Sequence, residues 1–271
     1  MGNFIKSIII FIVLFSLTVN PVFATNSYTT VLDGATEYFY RDTFSIDSDL
    51  TLMLWINMDE LPSANGQHDM YINEDFGTGN SRDFSFFSLF QTNKLDLDWY
   101  TTGGTFCRDV ADTGFTAEDV GVWKHIAVTL ELSTETVIFY VDGSPVSSTR
   151  TIGEGCTSLR DVVTTLEIGV RKNDGYGYYD GKMDDVKIYN RALSEAEISE
   201  EYTCSLETPY DANLLAYYTF DSQNGADSSG NGYTLTEVNT PTYQSASLPF
   251  TSTCSSATPP VEIKRQSVFW F

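Results

Sequence analysis

Most of this chain reads as short runs in which apolar side chains alternate or cluster, separated by stretches of Gly, Asp, Asn and Ser. The clearest runs are residues 50–58 (LTLMLWINM), 84–90 (FSFFSLF), 94–100 (KLDLDWY), 123–132 (WKHIAVTLEL) and 136–142 (TVIFYVD). A period of two sends alternate side chains to opposite faces of a strand, and turn formers at regular intervals fold such strands into antiparallel layers. The pattern predicts an all-β fold, a two-sheet antiparallel β-sandwich of the jelly-roll type. Helical periodicity is scarce. Ser194-Glu195-Ala196-Glu197 is a capping box followed by Ile198 and Tyr202, which predicts one short helix after the closing strand.

Two stretches stand outside this pattern. Residues 1–24 carry one positive charge at Lys6, an apolar run from Ile8 to Val19, Pro21, and the small-residue exit at Ala24. That is the layout of a secretory signal peptide cleaved after Ala24, and a membrane anchor would need about 20 unbroken apolar residues. A secreted or cell-surface protein is expected, with no membrane insertion after cleavage. From Cys204 onward Thr, Ser, Pro and Asn become frequent, and Lys and Arg vanish until Lys264. The chain therefore divides into a leader (1–24), a sandwich (25–203) and a C-terminal segment (204–271). In that segment residues 216–220 (AYYTF) read as a strand, and residues 227–232 (DSSGNG) as a turn or an oxygen-rich ion site.

Charge narrows the partners. With 15 Lys and Arg against 37 Asp and Glu the net charge is −22, or −23 once Lys6 leaves with the leader. Such a surface repels nucleic acid and anionic membranes, and suits cations or simple solubility. Four cysteines, Cys107, Cys156, Cys204 and Cys254, imply two disulfides in a secreted chain, with three connectivities open. Pairing Cys107 with Cys156 and Cys204 with Cys254 is favoured, because each bond then closes a loop within one region. His68 and His125 are the only histidines and no cysteine spacing resembles a zinc site, so transition-metal chemistry is not expected.

Three segments together resemble the laminin-G-like jelly-roll family of concanavalin-like sandwiches. Residues 123–129 (WKHIAVT) followed by 139–143 (FYVDG) are similar to the family's neighbouring central strands and the turn that ends them. Residues 179–193 (YDGKMDDVKIYNRAL), with the capped helix behind them, are similar to its closing strand, and residues 31–34 (VLDG) and 50–56 to its early strands. The resemblance covers about residues 28–203. Family members begin with an aromatic strand and an Asp-Ser-Ser-Gly-Asn-Gly turn, and here that beginning stands at residues 214–243, behind the closing strand. It is either a completing strand folded back beside the closing strand or the start of a truncated second repeat. Completion is favoured, because an isolated strand exposes unpaired backbone. Exchange into a neighbouring subunit, giving strand-swapped self-association, is the remaining arrangement.

The resemblance implies a calcium site. Asp227, Asn231, the carbonyls around Gly230, and Asp184 or Asp185 would supply its oxygens if the strand docks. Alternation sends Asp184 and Asp185 to opposite faces, so one of the two is the expected ligand. The loop at residues 173–180 places Tyr176, Tyr178 and Tyr179 among glycines and acids, a composition suited to stacking on sugar rings. A glycoside hydrolase would need two carboxylates about 5 to 5.5 Å apart. The nearest candidates, Asp96 and Asp98, belong to a strand whose other face is Leu95, Leu97 and Trp99, and both are expected to be structural, as is His125. The expected function is a non-catalytic, calcium-associated binding module for a glycan or an extracellular protein. A fibre subunit assembled through the C-terminal strand is the first alternative, and a hydrolase the disfavoured second.

Overall fold

The computed structural model describes residues 28–75, 82–160, 162–172, 177–204, 213–245 and 248–249. Its strands, numbered in chain order, form two antiparallel sheets of eight. The first sheet holds β1 (Tyr28–Asp33), β3 (Leu50–Met58), β8 (Lys124–Glu131), β9 (Thr136–Val141), β10 (Ser144–Val146), β13 (Asp180–Tyr189), β14 (Leu214–Tyr218) and β16 (Thr242–Ser245). The second holds β2 (Tyr38–Phe44), β4 (Asp69–Asp75), β5 (Arg82–Ser88), β6 (Lys94–Tyr100), β7 (Phe106–Gly114), β11 (Ser148–Ile152), β12 (Thr164–Ile168) and β15 (Thr236–Val238). Helix α1 (Pro62–Asn65) is one turn, and α2 (Glu195–Cys204) is the helix expected after the closing strand.

Alternation decides which residues meet between the sheets. Leu52, Leu54 and Ile56 of β3 face Phe84, Phe86, Leu97 and Trp99 of the second sheet in one contiguous core. Each such side chain contributes about 1.5–3 kcal/mol when fully removed from water. All nine residues of β3 are buried, because the outer face of its sheet is also covered. There Met53, Ala127, Tyr140, Tyr189, Leu214 and Tyr217 pack under Ile198 of α2. The capping box forms as read: the Ser194 N–H donates to Glu197 at 2.8 Å, and the Glu197 N–H donates to the Ser194 hydroxyl at 3.4 Å. The β8–β9 pair brings His125 below α2, against the mutually stacked rings of Trp55 and Tyr202.

Strand β13 organises the first sheet. On one side it pairs with β3; on the other it pairs with β1 through Asp180 to Met183 and with β14 through Val186 to Tyr189. Strands β1 and β14 therefore lie end to end beside it. At their seam the Tyr28 N–H donates to the carboxylate of Asp221 at 3.0 Å. Residues 213–245 also send Ala216, Tyr218, Phe220 and Leu235 into the main core, with β15 paired to β2 and β16 paired to β1.

The pairing corrects one expectation. Between Asp184 and Lys187 the register of β13 against β3 shifts by one residue, and Asp185 takes a left-handed φ of 48°. The bulge leaves Asp184 opposite Trp55 on the α2 side and turns Asp185 to the same side, where its Oδ1 accepts from the Tyr217 hydroxyl at 2.7 Å. An inserted residue breaks the alternation that would have put the two carboxylates on opposite faces. Cys107 and Cys156 are bonded, and both are fully buried. The leader, Tyr176 and Cys254 lie outside the described residues.

Candidate functional site: a groove on the outer face of the second sheet

The residues that point away from the core on β12, β4, β5, β6 and β7 fall into register across the sheet. Glu167 stands opposite Asn73, Asn73 opposite Ser85, Ser85 opposite Asp98, and Asp98 opposite Arg108. Alternation puts one polar position of each strand in this row, and antiparallel pairing lines the positions up. The row is internally bonded: the Asn73 amide donates to Glu167 at 3.0 Å, and the Ser85 hydroxyl donates to the Asn73 carbonyl. One position along, Asp96 is gripped by Arg108, whose Nε and Nη2 lie 2.7 and 2.6 Å from its Oδ2. At the end of the strands Asp83 is held by Arg160 at 2.6 Å.

Over part of this floor opens a groove of about 570 Å³. Phe87, Asp98, Arg108 and Val110 form its base, His68, Leu89 and Gln91 one rim, and Phe106, Thr151, Ile152 and Arg171 the rest. His68 is fixed edge-on against Phe87 and Phe90, at 5.2 and 5.0 Å between ring centroids. Phe106 leans on Tyr100 at 5.1 Å, and Ile152 is 43% exposed. Aromatic and aliphatic plates beside a few fixed charged groups, in a cleft within the ~300–1,000 Å³ range of small-ligand sites, suit a ligand with both apolar faces and hydroxyl edges.

Asp96 and Asp98 share the outward face, as their spacing requires. Both are buried, Asp98 in the groove floor and Asp96 against Arg108. Asp98 is the one carboxylate among the described lining residues, while Asp96 is engaged by Arg108. His125 is far from this chemistry, and burial, with Lys187 nearby, pushes it down to about 3, so its imidazole is neutral.

The tyrosines of the 173–180 loop have other tasks. Tyr179 is fully buried against Tyr71 and donates to the Lys182 carbonyl at 3.1 Å, so it is a core residue and not a ligand contact. Half-buried Tyr178 packs on Tyr38 at 6.3 Å.

The turn residues of the expected calcium set bond to main-chain groups. Both oxygens of Asp227 accept main-chain N–H groups, from Tyr217, Ser229 and Tyr233. Asn231 donates to the Leu214 and Leu215 carbonyls at 2.8 and 3.0 Å, and Gly230 is exposed with φ 86°. Asp185 lies at the far end of Tyr217, whose N–H is bonded to Asp227 and whose hydroxyl is bonded to Asp185. Asp185 and Asp227 of the expected set thus stand at opposite ends of Tyr217, and no group of three or more acidic, histidine or cysteine side chains is gathered among the described residues.

Residues 25–199 match the family model of the concanavalin A-like lectin/glucanases superfamily, of the laminin G type. The chain belongs to that family. Among solved structures, a putative carbohydrate binding protein from Bacteroides ovatus is similar at 16% identity and a TM-score of 0.58, over 83% of this chain and 61% of that one. A native heptameric SAP-like pentraxin from Limulus polyphemus is similar at 15% identity and a TM-score of 0.51, over 70% of this chain and 88% of that one. Identities this low speak to the shared jelly roll alone. No curated protein matches the chain.

Sequence reading missed the groove residues Phe87, Phe106, Arg108 and Ile152. Their outward positions follow from alternation, but their convergence depends on the pairing register of β5, β6, β7 and β11, which no single strand encodes.

Proposed function

We propose that this protein is a secreted, non-catalytic binding module whose groove on the second sheet takes a glycan. The observation that carries the reading is the groove itself: two aromatic rings, an arginine and an aspartate fixed on one rigid sheet face. Rings offer the apolar face a sugar needs, and charged groups offer its hydroxyls strong donors and acceptors. The family match and the likeness to a putative carbohydrate binding protein support the same class of ligand. The leader at residues 1–24 and the disulfide support secretion.

The test is titration calorimetry against a panel of oligosaccharides, after glycan-array screening. Phe106→Ala is expected to weaken binding about tenfold, the equivalent of about 1.4 kcal/mol, with an unchanged melting temperature. No bound ligand from the panel, or full affinity in the variant, rejects the groove as the site. The chain is expected to release no reducing ends from the glycan it binds, because Asp98 is the one carboxylate among the described lining residues and a hydrolase needs two at close spacing.

A further inference from the structure

Phe106, Arg108 and Val110, alternate residues of β7, all line the groove, while Cys107 and Ala111 from the positions between and beyond them lie in the core. Strand β11 meets this edge antiparallel, with Thr149 opposite Val110 and Arg150 opposite Asp109. Strict alternation would then bring Thr151 opposite Arg108 and turn Ile152 toward the core. The register shifts instead: Ile152 stands opposite Arg108, and Thr151 is the extra residue of a bulge. Cross-strand partners share a face, so the bulge sets Ile152 beside Arg108 in the groove. At 43% exposure it is one of four exposed large apolar side chains among the described residues, and the one of them that lines the groove.

The bulge is fixed from both sides. The Thr151 hydroxyl donates to the Arg108 carbonyl at 3.3 Å. Just beyond, Gly153 takes a φ of 93°, and a Cβ there would lie 2.6 Å from the Phe106 carbonyl oxygen and 2.9 Å from the Cys156 sulfur. A residue without a Cβ is what lets the chain pass this close. Cys156 is bonded to Cys107, the neighbour of Phe106, and its N–H donates to Glu135 at 2.9 Å. The disulfide thus ties the end of the wall that carries Ile152 to the strand that carries Phe106 and Arg108.

Three lining side chains follow one another across the strands, because Asp98 is opposite Arg108 and Arg108 is opposite Ile152. In order they present an acceptor, a donor and an aliphatic plate. Asp96 engages Nε and Nη2 of Arg108, and a guanidinium carries five N–H donors, so Nη1 can donate to a ligand. An acetamido group carries the complement on adjoining atoms: an N–H for the carboxylate, a carbonyl oxygen for the guanidinium and a methyl group for the plate. A plain hexose has no methyl group to cover Ile152. An acidic sugar would bring negative charge to a chain of net charge −22. Resting on the glycan reading of the groove, we propose that Asp98, Arg108 and Ile152 recognise an acetamido group, that the ligand is a neutral N-acetylated sugar, and that Ile152 sets this preference.

Calorimetry on the purified protein should compare two matched pairs, N,N′-diacetylchitobiose with cellobiose, and methyl N-acetylgalactosaminide with methyl galactoside. In at least one pair the acetamido member should bind about tenfold more tightly, the scale that one apolar group and its hydrogen bonds supply. Ile152→Ser should bring that ratio down to about twofold, and Ile152→Val should keep most of it. Deletion of Thr151 removes the bulge, returns Ile152 toward the core and should lower the ratio as Ile152→Ser does; if the deletion does not fold, Ile152→Ser decides. Equal or weaker binding of the acetamido member in both pairs, or a ratio that survives in folded Ile152→Ser, overturns the inference. Binding of cellobiose or methyl galactoside that Phe106→Ala weakens, with no acetamido preference, overturns it and leaves the groove as a glycan site. Failure of every glycan to bind rejects the site and the inference together.

Discussion

Lys187 and Glu201 form an ion pair of 2.6 Å at 2% exposure each, beneath α2. The Tyr189 hydroxyl donates to the other oxygen of Glu201 at 3.0 Å, and the ammonium lies 4.7 Å over the Tyr217 ring. Breaking such a pair leaves one charge buried, so Lys187→Met should cost about 3–5 kcal/mol in denaturant unfolding. Lys187→Met with Glu201→Leu should recover most of that loss, because both charges then leave together. His125 beside this network sets a pH dependence. Its pKa falls from 6.5 to about 3 on folding, so the unfolded chain binds the extra proton between those values. Stability from this group is complete above pH 6.5 and is lost as pH falls toward 3. In His125→Gln, unfolding curves taken from pH 7 to pH 4 should show a shallower loss. At this scale the sequence was least legible. Alternation assigned Asp96 and Asp98 to the right face, but it failed at the Asp185 bulge, and it could not tell buried Tyr179 from its neighbours.

Most strands and the capped helix could be read from local pattern, because each buries one face or bonds its own terminus. Residues 94–100 of the alternating pattern are β6 to the residue, and the capping box opens α2. The short edge strands β10, β15 and β16 carry no period of their own and form only because a partner strand offers its free edge. The pairing of β14 with β13 leads to a test of chain order. Ser245 and Tyr28 are cross-strand partners, so a two-residue Asn-Gly turn can join them. A rearranged chain that begins at Asn213, runs through Ser245 into Tyr28 and ends at Cys204 should fold with a similar melting temperature. A chain cut after Cys204 should be insoluble, since it bares the edge of β13 and removes Phe220 and Leu235 from the core.

For the whole molecule, length, alternation and turn spacing were enough to indicate two stacked sheets, and the family match agrees. The groove was not legible, because it is assembled from four strands whose registers are fixed by the entire sheet. With β14 paired inside its own chain, and a large negative net charge opposing close approach of copies, light scattering should report a monomer. A stable dimer that disappears on mutation of β14 would favour strand exchange instead. Because Tyr28 and Ser245 face each other across one strand pair, the first and last residues of the described sheets stand at the same corner. Ends that close together let the described sheets be set into a surface loop of another protein without prying that host apart.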